Sequence, residues 1–74
     1  MTDEYTPKTA EDWGATLKLL RQEAGLSRGK VAELSGVSAA HLWAIETGKH
    51  YSRVDTLELI LEAEGYELYV RKKQ

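Results

Sequence analysis

Between Ser27 and Arg53 the chain places four cations, Arg28, Lys30, Lys49 and Arg53, against two carboxylates, Glu33 and Glu46, a local net charge of +2 in a 74-residue chain whose formal total is −2. Val54 to Glu67 is acidic, with Asp55, Glu58, Glu62, Glu64 and Glu67, and the end is basic through Arg71, Lys72 and Lys73. Phosphate contact depends on the local patch rather than on the total, so the positive stretch is compatible with a polyanionic partner despite an acidic whole. Other chemistry finds little support. There is no cysteine, and His41 and His50 stand at no spacing to carboxylates that would make a metal or catalytic set. No glycine-rich phosphate loop sits between a strand and a helix. The expectation is a protein with no catalytic residues, no metal and no cofactor.

The positive stretch has an internal order. Ser27 can cap a short helix with Val31, Ala32 and Leu34 inward; Gly36 follows where the chain turns; Ser38 can cap a second helix with Leu42 and Ile45 inward; Gly48 stops it. Ala32 lets the first of these helices pass close to the second, and Gly36 can take a positive φ. Two short helices joined this tightly form a helix-turn-helix, whose second helix can enter the DNA major groove. The pattern of Ala32, Gly36-Val37-Ser38, Ile45-Glu46 and Gly48 resembles the Cro/CI repressor (XRE) family. That resemblance covers about Trp13 to Gly65. It implies a mainly α, four- to five-helix, lambda-repressor-like helix-turn-helix domain and double-stranded DNA as partner.

On the second helix, Ser38, Ala39, Ala40, Trp43, Ala44 and Thr47 share the side opposite Leu42 and Ile45 and are the expected base-facing residues. The family usually carries Gln, Lys, Arg or Asn at several of these places. Alanine cannot make a bidentate hydrogen bond to a base but can touch a thymine methyl, so direct base readout here is expected to be apolar and modest, with DNA shape contributing more. Phosphate contacts are assigned to Ser27, Arg28, Lys30, His41, Lys49 and Arg53, Arg28 on the strength of residues that match it in the family. The resemblance also implies that Arg21, before Gly25-Leu26, pairs with Glu46 and locks the first helix to the end of the recognition helix.

The flanks must position this motif. Residues 1–8 hold acids, Thr and Pro7 without periodicity and read as a flexible N-terminal arm. Residues 9–65 form the domain. Thr9 and Asp12 have capping-box spacing, with Asp in place of Glu or Gln, and open a helix from about Ala10 to Ala24 with Trp13, Leu17, Leu20 and Ala24 inward and Gly25 as its stop. A last helix opens near Ser52 or Arg53, buries Val54, Leu57, Ile60 and Leu61, leaves Leu59 outside and ends at Gly65; the glutamates from Glu58 onward read as its solvated face.

Residues 66–74 make a dimerisation strand and a basic tail. Tyr66, Leu68 and Val70 alternate with Glu67, Tyr69 and Arg71, the only strand-like pattern in the chain. A lone strand has no ladder partner, and the economical solution is the same strand of a second copy across a two-fold axis. This end resembles HipB-type antitoxins, whose dimer is sealed by a two-stranded intersubunit sheet. Leu59, Tyr66, Leu68, Tyr69 and Val70 are then the dimerisation residues. The expected function is a homodimeric, sequence-specific transcriptional regulator, a repressor on a palindromic operator; the alternative is an antitoxin or anti-repressor module whose partner is a protein such as a cognate toxin. No basic-then-apolar leader and no long apolar run is present, so neither secretion nor membrane spanning is expected and the cytoplasm is the expected compartment.

Overall fold

A computed structural model describes residues 6–73 and contains four helices: α1 (Ala10–Glu23), α2 (Arg28–Ser35), α3 (Ala39–Glu46) and α4 (Val54–Glu64). Thr9 caps α1, its Oγ1 accepting from the Asp12 N–H at 3.0 Å. Asp12 reaches back to the Lys8 N–H at 3.2 Å, one residue before the partner a capping box normally takes. The helix closes with a paired turn in which Leu26 N–H bonds to Arg21 O at 3.1 Å and Gly25 N–H to Gln22 O at 3.0 Å. Ser27 and Ser38 cap α2 and α3 in the same way as Thr9, accepting from Lys30 N–H and His41 N–H at 3.0 and 3.1 Å. The α4 cap is Arg53, which supplies no side-chain bond, so that end relies on packing and on Asp55 in its first turn.

Leu17 and Leu20 of α1, Val31 of α2, Val37 of the turn, Leu42 and Ile45 of α3, and Leu57, Ile60 and Leu61 of α4 form one core, with Trp13, Leu26, Ala63 and Leu68 packed at its margin. α1 lies chiefly on α3 and α2 chiefly on α4, while α2 and α3 also touch. Gly36 joins those two at φ +79°, a left-handed conformation that a Cβ would strain. Gly14 has the opposite role. A Cβ there would collide with the Ile45 carbonyl oxygen and lie 2.8 Å from that of Glu46, so α1 meets the end of α3 backbone to backbone.

Three residues expected inside are outside. Leu34 is 54% exposed because α2 turns Val31, Ala32 and Ser35 toward its neighbours, and at 100° per residue Leu34 falls about 100° from the middle of that arc. Val54, 72% exposed, begins α4 beyond the reach of the other helices. Ala24 is the exposed C-cap of α1 rather than part of its stripe.

The expected C-terminal strand is also absent from the single chain: residues 66–73 follow α4 without regular secondary structure. A strand exists only with a ladder partner, and no other segment among the described residues offers one. Of the alternating set, Leu68 alone packs at the core, while Tyr66, Tyr69 and Val70 are exposed. Of the N-terminal arm, residues 1–5 lie outside the described residues.

Candidate nucleic-acid interface

The outer side of α3 is separated cleanly from its inner side. Leu42, Ile45 and Glu46 are buried, while Ser38, Ala39, Ala40, Trp43 and Thr47 are exposed and Ala44 is half-buried. Two of the outward groups are already engaged. The Thr47 hydroxyl is within bonding distance of the carbonyls of Trp43 and Ala44, at 3.0 and 3.1 Å, so its proton stays on its own helix. Lys49 holds its Nζ 5.7 Å from the centre of the Trp43 ring, within cation–π range.

Glu46 is the centre of the site's electrostatics. Its carboxylate accepts from Arg21 Nε at 2.7 Å and Arg21 Nη2 at 3.0 Å, a fork of two parallel bonds, and from Arg28 Nε at 3.0 Å. Arg21 Nη1 continues to the Leu26 carbonyl at 3.0 Å, so one guanidinium joins α1, the loop before α2 and the last residue of α3. Both side chains are closed off from water, Arg21 at 9% and Glu46 at 1% exposure. The bond to Glu46 outweighs the burial that opposes it and raises the Arg21 guanidinium above its already high ordinary value. Arg21 and Glu46 thus meet as the family resemblance implies. Arg28, assigned to phosphate, shares the same carboxylate while its side chain stays 38% exposed.

The remaining phosphate candidates lie on the surface. Ser27 is exposed at the start of α2, His41 at the start of α3, and Lys49 in the turn after it. Lys30 reaches Glu33 at 3.5 Å and Arg53 reaches Asp55 at 3.0 Å, both in exposed pairs. Such pairs are worth about 0–1 kcal/mol, so a phosphate can displace the carboxylate at little cost. Arg28 differs, because the carboxylate it would leave is buried.

Two contributors escape a reading of the sequence as solvated helix and stop residues. Gly14 is one. Glu64 is the other: it is buried at 4% exposure, and neither of its carboxylate oxygens has a hydrogen-bond partner. Burial first, and the nearby Glu46 charge second, push its carboxyl up to about 8, with Arg21 pulling the other way. Both positions could have been found from spacing, since Gly14 lies three residues from Leu17 and Glu64 continues the stripe of Leu57, Ile60 and Leu61.

Residues 12–67, from the first turn of α1 to just beyond α4, match the family model for the helix-turn-helix domain. The chain belongs to that family. No curated protein is similar enough to this helix-turn-helix chain to count as a match. Among its described residues no helix is long and apolar enough to cross a membrane, and no group of three or more His, Asp or Glu could hold a metal ion.

Proposed function

We propose that this helix-turn-helix protein is a transcriptional regulator of the Cro/CI (XRE) kind, a repressor that binds a palindromic operator as a homodimer. The carrying observation is the clamp at Glu46. The last residue of α3 is fixed to α1 by Arg21 and to the start of α2 by Arg28, which holds α3 rigidly with its small outer residues facing away from the core. A helix presented in this way, capped at its N-terminus by Ser38 and flanked by cations, has the form required for insertion into a major groove.

A single recognition helix contacts only a few base pairs, whereas two held one helical turn apart, about 34 Å, read a palindrome. Leu59 on α4 and Tyr66, Tyr69 and Val70 beyond it are exposed apolar side chains, the last three in a segment without regular secondary structure, and this supports strand pairing between two copies, with Leu68 anchoring each ribbon to its own core. Deleting residues 66–74 is expected to give a monomer in sedimentation, with operator affinity lower by orders of magnitude. A truncated chain that remained dimeric and bound its operator normally would overturn the dimer.

A second reading is supported by Trp43, 46% exposed on α3, and by exposed Leu34 and Tyr51: a module that captures a partner protein, as an antitoxin captures its toxin. Salt separates the two. A regulator loses DNA affinity steeply as salt rises, on a log–log line set by the phosphates it contacts, and an interaction module binds DNA weakly at any salt.

A further inference from the structure

Beside the outer face of α3 lies a shallow concavity lined by Ala40, His41, Ala44, His50 and Tyr51. We propose that this concavity is the specificity-determining surface of the DNA interface, and that it receives the C5-methyl group of a pyrimidine, thymine or 5-methylcytosine. The inference rests on the DNA-binding reading above and adds to it the chemistry of recognition, with His50 and Tyr51 as contributors outside the helix.

Ala40 and Ala44 are one helical turn apart and present two methyl groups side by side as the floor. The walls are fixed by their own contacts. Tyr51 donates its hydroxyl to the Lys8 carbonyl at 2.6 Å, a tether across 43 residues of sequence, and this settles where its ring stands although the residue is 63% exposed. His41 and His50 meet edge to face, with ring centres 6.5 Å apart and planes at 84°. A surface whose parts are already in place loses little conformational freedom on binding.

The inventory of donors leads to the same ligand. Bidentate recognition of guanine needs Arg or Lys on the helix face, and recognition of adenine needs Asn or Gln. The outer face of α3 has none of these: three of its members are alanines, the Thr47 proton is committed to its own helix, and Lys49 is drawn over Trp43. The Tyr51 hydroxyl is likewise spent on Lys8, and the His41 and His50 imidazoles in the walls can offer a base single bonds rather than a bidentate pair. A concave surface with an apolar floor remains, and the one apolar group that base pairs project into the major groove is the pyrimidine C5-methyl.

Binding sites are first selected with the full chain from a random duplex pool, and each thymine of the enriched half-site is then replaced by uracil, which removes the methyl group alone. We expect about a fourfold loss of affinity at one or two positions per half-site, the effect of burying one CH2-sized group, and recovery when 5-methylcytosine, paired with guanine, is placed there instead of cytosine. Tyr51→Ala, which removes a wall, and Ala40→Ser, which puts a hydroxyl into the floor, should each bring the thymine-to-uracil ratio close to one; both positions are exposed, and circular dichroism checks that the helices persist. Enriched sites that tolerate uracil everywhere overturn the inference and leave DNA binding intact. A uracil effect that both variants leave unchanged places the methyl elsewhere and also overturns it. A pool that shows no enrichment overturns the DNA-binding reading, and this inference with it.

Discussion

Replacing Glu64 by Gln tests the least expected feature of the interior. Glutamate ordinarily ionises at 4.5, and in the folded chain Glu64 does so at about 8. Below pH 4.5 the carboxyl is protonated whether the chain is folded or not, and pH has no leverage through this group. Between 4.5 and 8 the unfolded chain releases the proton while the folded chain keeps it, so stability falls as pH rises; above 8 both forms are ionised and the loss is complete. At 1.36 kcal/mol for each tenfold change in proton affinity, the interval amounts to about 5 kcal/mol at most, comparable to the whole stability of a domain this small. Gln has nearly the shape of the protonated acid and never ionises. Urea unfolding of the natural chain and of Glu64→Gln, followed by circular dichroism from pH 5 to 9, should give curves that lie within about 1 kcal/mol at pH 5, diverge as pH rises to about 8 and run parallel above it, the variant being the more stable. Every other ionisable group is common to both proteins, so the difference isolates position 64. Parallel curves across that range would refute the reasoning and mean that Glu64 gains a partner or water as it ionises.

Other outcomes follow from the same interior. Gly14→Ala should destabilise by roughly 2–4 kcal/mol in chemical denaturation, since the added methyl meets the backbone of α3 rather than a side chain that can rotate away. Arg21→Ala should cost roughly 3–5 kcal/mol by stripping a buried carboxylate of its fork, whereas the double change Arg21→Met, Glu46→Leu should cost far less than the sum of the singles; additive losses in the double-mutant cycle would contradict the observed contact. Arg28→Ala should weaken binding to all DNA sequences alike and reduce the salt slope by about one, as read by anisotropy, and a changed sequence preference with the slope intact would remove Arg28 from the phosphate contacts.

The helix-turn-helix was legible because its signals are local. Ser27, Gly36, Ser38 and Gly48 each act within a few residues, and the structure uses all four where the sequence puts them. Leu34 and Val54 misled because apolar spacing shows only that a stripe exists, and the arc that becomes buried depends on where the neighbouring helices lie. Glu64 was hidden by its type: a glutamate in an acidic run reads as solvated, although its position on the stripe is an inward one. The meeting of Arg21 and Glu46, 25 residues apart, has no local signal and was accessible through family resemblance alone. The pattern from Tyr66 to Arg71 shows the limit from the other side: alternation assigns each residue a side, but a strand also needs a ladder partner, and residues 66–73 form no regular secondary structure.

The division of α3 into an inner and an outer set has a consequence for how such a protein can be changed. Leu42, Ile45 and Glu46 carry the attachment to the rest of the molecule, and Ser38, apart from its capping oxygen, Ala39, Ala40 and Trp43 carry none of the core. Two independent messages are therefore written on one short helix and its cap. The outer one can be rewritten, by drift or by design, while the scaffold beneath stays as it is, and the present text, half of it alanine, leaves room for added side chains.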